Sequence, residues 1–291
     1  MKLLALVLLL SSFSSLILME VVNSFNESCS DFFIQNENDI IIPTIFPGCQ
    51  YKTICQRWEN KYRFATVYDT VRRIPVYSAY TFLQAGKTVR RDEWKIEPQL
   101  ENIEEYRNLT EMIVSPREAG QIFNQAVYSD YTGTGFTRGH VFPRMFAADQ
   151  DQADSTFTLT NVAPQTQGSN QKWADQVEKA MLNEIKQDCN LDQNHRAYIV
   201  TGVVPGKNWI SITGDGEQYE EGINIPSHFW SAYCCTNNKR QLVAGAYITK
   251  QESFNLRRPN IHHLNTELTK LYNKKIRFNV FPGIDCKKRK K

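Results

Sequence analysis

The chain has no Cys-x-x-Cys pair and little net charge, and each shortage narrows the classes of protein to consider. Without paired cysteines at that spacing, a structural zinc site is not expected. The formal net charge of the 291 residues is only +3, which is too small for a protein that binds nucleic acid through its overall field. Internal repeats, long linkers and low-complexity tracts are also missing, so the sequence predicts one large domain.

Long apolar runs are confined to the N-terminus. Residues 1–24 have a basic start, an apolar centre and small residues near Ser24, a pattern that predicts a secretory signal peptide cleaved near that residue. A membrane anchor is the alternative, but four serines between positions 11 and 15 interrupt the run, and a spanning helix needs about 20 mostly apolar residues. We therefore predict a soluble, secreted protein without membrane contact, with a single domain at 25–286 and a basic tail at 287–291.

Seven cysteines are present, and most should form disulfides in an oxidising compartment. Because seven is odd, at least one thiol stays unpaired within a monomer. Cys234 and Cys235 are adjacent on a predicted strand, so their side chains should point to opposite faces and have different fates. Sequons at Asn26 and Asn108 predict a glycoprotein.

Positive charge is concentrated at the C-terminus, where five basic residues stand in a row at 287–291. Such a run raises the affinity for polyanions through counterion release. A solvated end without a binding role is the other interpretation. The sequence leaves both open.

Strand-rich halves around one central helix predict an α+β fold with a mostly antiparallel sheet. Aromatic and β-branched residues predict a hairpin of strands at 62–68 and 74–82. Apolar residues recur every fourth position after Gly168, which predicts a helix to about Cys189. The remaining predicted elements are a strand at 155–160, strands at 197–204, 229–235 and 242–249, and a helix at 262–272.

The segment between positions 137 and 178 combines residue types suited to metal-assisted attack on a phosphodiester. His140 can act as a base, because the reference pKa of histidine is about 6.5. Arg138 precedes it by two residues and either holds a phosphate or braces the site. Asn170 offers a hard oxygen of the kind that Mg²⁺ prefers. Asn161 and Glu178 add a second carboxamide and a carboxylate to the same segment.

This segment, with its Arg-Gly-His at 138–140, resembles the DNA/RNA non-specific endonuclease family, and in particular the secreted endonuclease domain-containing 1 proteins. The similarity runs from about Cys49 to Cys286. It is carried by YRFATVYDT (62–70), IPVYSAYTF (74–82), WKIEPQLE (94–101), AADQDQADSTFTLTNVAPQ (147–165) and IPSHFWSAYCC (225–235). The resemblance implies a central sheet flanked by helices, with a ββα-metal nuclease site of the histidine–metal type on one side. It also implies hydrolysis of DNA and RNA with little sequence preference and with 5′-phosphate products.

The resemblance also implies roles for the residues. His140 would be the general base, and Asn170 the single protein ligand of Mg²⁺, or of Mn²⁺ or another divalent ion. Glu178 lies eight residues beyond Asn170, about 12 Å along a helix axis, so it would reach the ion through a bound water. Arg91, or its neighbour Arg90, would stabilise charge on the phosphate, and Asn161 would orient the site by hydrogen bonding.

One position departs from the family pattern, which usually reads Asp-Arg-Gly-His. Thr137 stands in the acidic position, and threonine cannot carry a charge. We expect a retuned nuclease in which Thr137→Asp raises activity by making His140 more basic. The alternative is a catalytically impaired, secreted member of the same fold that binds nucleic acid or protein.

Overall fold

The computed structural model describes residues 19–36, 39–117, 120, 122–214, 216–273, 275–284 and 287–288. In these ranges the helices are α1 (Phe25–Ser28), α2 (Gln150–Ser155), α3 (Gln167–Trp173), α4 (Lys179–Asp188) and α5 (Ile261–Leu271). The strands are β1 (Val21–Val22), β2 (Ile34–Asn36), β3 (Asp39–Ile41), β4 (Tyr51–Trp58), β5 (Lys61–Asp69), β6 (Ile74–Phe82), β7 (Lys95–Ile96), β8 (Ile113–Val114), β9 (Phe136–His140), β10 (Val162–Thr166), β11 (Ala197–Val204), β12 (Trp209–Gly214), β13 (Glu217–Asn224), β14 (His228–Thr236), β15 (Leu242–Lys250) and β16 (Lys287–Lys288).

An eight-stranded sheet forms the centre of the molecule, in the order β1-β4-β5-β6-β11-β14-β15-β16. Neighbouring strands are antiparallel, except that β15 and β16 run parallel. The predicted hairpin is present as β5 and β6. The prediction of an α+β fold with a mostly antiparallel central sheet is therefore confirmed.

Both faces of this sheet are covered, and the strand β14 shows the division. Phe229, Tyr233 and Cys235 pack into one hydrophobic layer, whereas Trp230 and Cys234 pack into the other. The first layer includes buried residues of α4, and the second includes those of α5. Because both faces are buried, the central strands read as nearly continuous apolar runs.

The cysteines follow the same division. Cys235 forms a disulfide with Cys189, and Cys234, on the opposite face, is also disulfide-bonded. Their predicted separation onto two faces is confirmed. Cys29 bonds Cys55, and Cys49 is an exposed free thiol. No helix in the described ranges combines the length and the apolar character needed to cross a membrane.

The strand predicted at 155–160 is wrong. Helix α2 ends at Ser155, a 3₁₀ turn spans Leu159–Asn161, and the strand begins only at Val162. Side chains take over the hydrogen bonding there: Thr156 Oγ1 donates to the carbonyl of Ala153 at 2.7 Å. Such local bonds compete with a strand ladder.

The two ends of the chain contribute edge strands to the sheet. Residues 1–18 of the predicted signal peptide lie outside the described residues, but Val21 and Val22 pair with β4. At the other end, the main chain of Lys287 and Lys288 pairs with β15. The first two residues of the basic tail are therefore part of the sheet, and the rest of the tail lies outside the described residues.

Candidate active site

A ββα unit carries the candidate residues. Strands β9 and β10 pair antiparallel, with His140 opposite Val162 and Thr137 opposite Gln165. The chain then enters α3 directly, because the Thr166 hydroxyl caps the new helix by accepting the Ser169 amide. This order places the end of β9 and the first turns of the helix beside each other.

A π-helical turn at Ala174–Glu178 joins α3 to α4. In a regular α-helix, eight residues turn about 80° beyond two full turns. A π turn accommodates one extra residue, so Asn170 and Glu178 are related much as residues seven apart, within roughly 20° of one face. This turn explains why both residues line the same cleft although their spacing in the sequence is eight.

The cleft has a volume of about 650 Å³. Four of the six predicted site residues line it: His140, Arg138, Asn170 and Glu178. Its other lining residues are Arg90, Asp92, Trp94, Tyr128, Phe136, Thr137, Pro143, Arg144, Met145, Phe157 and Ala174. The predicted constellation is therefore largely brought together by the fold.

His140 lies partly buried between aromatic rings. Its ring centroid is 4.9 Å from that of Phe157 and 5.5 Å from that of Trp94. Nε2 has no hydrogen-bond partner among the described residues. Burial and, to a smaller extent, the positive charge of Arg90 together lower the pKa of His140 to about 4, and a main-chain hydrogen bond at Arg138 partly opposes them. The imidazole is therefore neutral at pH 7 and can accept a proton through Nε2.

Asn170 and Glu178 offer oxygen atoms to the cleft. The Nδ2 atom of Asn170 donates to Thr137 Oγ1 at 2.9 Å, and its Oδ1 has no partner within the described part of the chain. Burial is the main cause that raises the pKa of Glu178 to about 8; the negative charge of Asp175 adds to it and the positive charge of Lys179 opposes it. A cation bound nearby would stabilise the ionised form of this carboxyl group and lower its pKa.

These two residues also decide how well the cleft fits a divalent ion. No group of three or more His, Cys, Asp or Glu side chains is arranged to hold a metal in the ranges that the structure covers. What the cleft offers instead is the amide oxygen of Asn170, which has no hydrogen-bond partner in the described chain, and the carboxyl group of Glu178. Hard oxygen donors of this kind suit Mg²⁺, which keeps most of its waters and is bound through few protein groups.

The contacts of Arg138 bear on its role, which the sequence left open. Arg138 is enclosed by rings: its guanidinium carbon lies 4.2 Å from the centroid of Tyr128, 5.1 Å from Trp94 and 5.2 Å from Tyr131. Its Nη2 donates to the Tyr128 carbonyl at 2.8 Å. These contacts favour the bracing role of Arg138, because the surrounding rings and the Tyr128 carbonyl hold its guanidinium group in place.

Of the two arginines predicted to stabilise charge on the phosphate, the structure places Arg90 in the cleft. Arg91 does not line the cleft, and it forms an ion pair with Asp154 at 3.0 Å. Arg90 does line the cleft, where it pairs with the exposed carboxylate of Asp92 at 2.8 Å.

Asn161 lies behind the cleft, fully buried. Its Oδ1 accepts the amide of Phe142 at 2.9 Å and the hydroxyl of Ser78 at 3.0 Å. Its Nδ2 donates to the carbonyls of Phe142 and Thr156, both at 3.0 Å. With these bonds in place, Asn161 fixes the turn after β9 and does not face the cleft.

Gly139 is required for packing. A Cβ atom there would lie 2.3 Å from Oε1 and 2.9 Å from Cβ of Gln165. The neighbouring strand therefore approaches β9 too closely for a side chain at position 139. This close approach keeps residues 138 and 140 beside the helix that carries Asn170.

Sequence reasoning missed Arg144 and the aromatic cage around Arg138. Arg144 follows His140 by four residues, and its Nη1 is held at 3.0 Å from the Thr88 carbonyl. The short spacing between His140 and Arg144 is the sequence signal that could have identified this arginine. The aromatic cage left no such signal, because Trp94 and Tyr128 lie outside the segment 137–178.

Comparison with known proteins places the chain. The sequence model of the DNA/RNA non-specific endonuclease family matches residues 47–285. The human endonuclease domain-containing 1 protein is 34% identical over 186 residues, which cover 62% of this chain and 34% of that protein. Human mitochondrial endonuclease G is 28% identical over 134 residues, which cover 43% of this chain and 42% of that protein. This chain thus spans less than half the length of these two relatives.

A solved structure supports the fold. In the crystal structure of the EndoG/EndoGI complex, one chain aligns with a TM-score of 0.50 at 18% identity. The alignment covers 77% of this chain and 85% of that chain. Since the family model matches most of the sequence, this chain belongs to the DNA/RNA non-specific endonuclease family.

Proposed function

We propose that the protein is a secreted, divalent-metal-dependent endonuclease that hydrolyses phosphodiester bonds of DNA and RNA with little sequence preference. The observation that carries this proposal is a set of three polar groups in one cleft that have no hydrogen-bond or ion-pair partner in the described chain. His140 Nε2, Asn170 Oδ1 and the Glu178 carboxyl group belong to residues that line this cleft together with Arg90 and Arg144. A base, oxygen ligands and cations in one cleft match the needs of phosphodiester hydrolysis.

In this proposal His140 takes the proton from the attacking water through Nε2. A pKa of about 4 keeps the ring unprotonated at neutral pH but makes it a weak base. A bound phosphate would offset the charges of Arg90 and Arg144, both of which lower that pKa. Binding of substrate would therefore strengthen the base at the moment it is needed.

The other groups in the cleft hold the phosphate. Arg90 can exchange Asp92 for a phosphate oxygen and stabilise the added negative charge. Asn170 Oδ1 and Glu178 are the groups that would hold Mg²⁺, or Mn²⁺ in its place. When bound, the ion neutralises the phosphate and stabilises the leaving oxygen. Arg138 and Asn161 keep β9 and the following turn in place.

Secretion and glycosylation are part of the same proposal. They are supported by the apolar N-terminal run in the sequence, by the disulfides, and by the exposure of both sequon asparagines, Asn26 and Asn108. Disulfides persist in oxidising compartments and are rare in the cytosol. The substrates would then be nucleic acids outside the cell.

The test is cleavage of supercoiled plasmid and of single-stranded RNA by the purified protein, with Mg²⁺ and with chelator. We expect cutting only with the metal, and a loss of about 10²–10⁴-fold in His140→Ala. His195→Ala is the matched control, since His195 does not line the cleft and its partly exposed ring contacts Asp192. If a folded His140→Ala protein cuts as fast as the wild type, the assignment fails.

An impaired binding protein of the same fold remains the alternative, and the same assay separates the two. Its support was Thr137, which the sequence presented as a lost carboxylate. Binding of plasmid without cleavage, at any metal concentration, would favour this alternative.

A further inference from the structure

The hydroxyl group of Thr137 makes two hydrogen bonds that together decide how the Asn170 side chain is turned. Thr137 Oγ1 donates to the main-chain carbonyl oxygen of Gln165 at 2.8 Å. A carbonyl oxygen can only accept, so the single hydroxyl proton is used in that bond. The 2.9 Å bond between Thr137 Oγ1 and Asn170 must therefore be donated by the amide, from Nδ2.

This arrangement leaves one orientation for the amide group of Asn170. Turning the amide over would place Oδ1 against the lone pairs of the Thr137 hydroxyl, where no proton is available. The strand ladder sets Thr137 opposite Gln165, so the accepting carbonyl is fixed by the backbone. Asn170 Oδ1 is then the amide atom that stays without a partner in the described chain, in a residue that lines the cleft.

We propose that Thr137 is a positioning residue that turns the carboxamide oxygen of Asn170 toward a divalent cation in the cleft. The proposal rests on the proposed function, because only a bound cation makes the direction of that oxygen matter. Groups outside the ligands that hold them in orientation commonly affect metal affinity by about 10–100-fold. The residue that departs from the family pattern thereby acts through the metal ligand.

The same contacts remove the basis for the expected gain of activity in Thr137→Asp. That expectation relied on an effect of residue 137 on His140, but the hydrogen bonds of Thr137 go to Gln165 and Asn170. A carboxylate can accept from Asn170 Nδ2 but has no proton to give to the Gln165 carbonyl. The basis for faster cleavage in Thr137→Asp is therefore lost.

The experiment compares Thr137→Val, which keeps the shape without the hydroxyl, with Thr137→Ser, which keeps the hydroxyl. Both are made in a His140→Ala background, so that a short DNA duplex stays intact. Mn²⁺ affinity is measured with the duplex bound, from the electron paramagnetic resonance signal of the free ion. Thermal midpoints are recorded in parallel.

A control variant separates loss of metal binding from loss of stability. Thr269→Val removes a hydroxyl with the same pattern on the far face of the sheet, where Thr269 Oγ1 donates to the Asn265 carbonyl at 2.8 Å and accepts the Phe278 amide at 2.9 Å. Thr269→Val should lower the thermal midpoint and leave Mn²⁺ affinity unchanged.

We expect Thr137→Val to weaken Mn²⁺ binding about 10–100-fold and Thr137→Ser to restore it to within a few-fold. With His140 present, high Mn²⁺ should then recover the cleavage rate of Thr137→Val. If the parent binds Mn²⁺ and Thr137→Val binds it equally well, the positioning role is overturned and the metal site stands. If the parent binds no Mn²⁺ with duplex present, the metal site and this proposal fail together.

Discussion

On the face of the sheet covered by α5, the buried side chains of Tyr272 and Trp230 are hydrogen-bonded to each other, whereas beside the cleft several buried polar atoms have no partner among the described residues. Tyr272 Oη accepts from Trp230 Nε1 at 3.0 Å and donates to the Val203 carbonyl at 2.9 Å. Beside the cleft, buried atoms of His140 and Arg138 have no partner among the described residues. Both faces are built from the same strands, so the difference comes from the elements laid over them.

An unpaired buried polar atom costs about 1–3 kcal/mol, so a fold keeps few of them without a reason. On the α5 face, the hydrogen bonds of Tyr272 and Asn265 stabilise the fold. On the cleft face, His140 Nε2 at the end of β9 and Asn170 Oδ1 on the helix after β10 have no hydrogen-bond partner in the described chain. This contrast locates the chemistry on one side of the molecule and provides matched pairs of residues with which to test it.

The largest expected effect compares two asparagines, one on each face. Asn170→Ala should raise the Mg²⁺ concentration for half-maximal cleavage by more than Glu178→Ala does, and the latter by about 10–100-fold. Asn265→Ala, on the α5 face, should cost stability and leave that concentration unchanged, because Asn265 Oδ1 accepts the Val280 amide at 3.0 Å. Metal titrations of cleavage for the three variants test this. A larger shift for Glu178→Ala would exchange the two assigned roles.

A smaller effect compares two tyrosines. Tyr272→Phe leaves Trp230 Nε1 without its acceptor, so we expect the free energy of unfolding to fall by about 1–3 kcal/mol with cleavage unchanged. Tyr131→Phe should be neutral or stabilising, because the buried hydroxyl of Tyr131 has no partner in the described chain and its ring remains beneath Arg138. Urea unfolding of both variants gives the comparison. Equal losses at the two positions would mean that the faces do not differ in this respect.

The same contrast explains what the sequence could and could not predict. The central strands were visible because burial on both faces makes them continuous apolar runs, and the helix after Gly168 was visible from the spacing of Trp173, Val177 and Met181. The cleft depended on contacts that periodicity does not record. The π turn that aligns Asn170 with Glu178 has no signature in the apolar pattern.

Contacts of single polar side chains could not be predicted from the sequence either. Thr137 was interpreted as the replacement of a carboxylate, because its two partners, the Gln165 carbonyl and the Asn170 amide, are brought to it by strand register and by the start of the helix. Arg90 and Arg91 differ by one position, and only the path of the loop decides which one faces the cleft. The threonines at 156 and 158 suggested a strand, yet their hydroxyls are used in local and tertiary hydrogen bonds.

The smallest expected effect is the change in the free energy of unfolding with pH that the buried carboxyl group of Glu178 causes. Burial raises its pKa to about 8 from a usual value of 4.5. Between these two pH values the folded protein holds a proton on Glu178 that the unfolded chain has released. The contribution of protonated Glu178 to the free energy of unfolding is therefore fully present below pH 4.5 and is lost as the pH rises through about 8. His140 acts in the opposite direction, since its lowered pKa removes stability as the pH falls from about 6.5 toward 4.

Glu178→Gln isolates the first of these contributions, because His140 is common to both proteins and cancels in their difference. We expect the wild type to lose stability relative to Glu178→Gln between pH 5 and pH 8.5, measured by urea unfolding in chelator. Added Mg²⁺ and a non-cleavable oligonucleotide should reduce that loss in the wild type alone, since the cation replaces the proton at the carboxylate. On the α5 face, Glu267→Gln should show neither change, because Glu267 pairs with Arg257 on the surface. Parallel stability curves for wild type and Glu178→Gln would mean that Glu178 carries no such cost, and the contrast between the faces would then rest on His140 and Asn170 alone.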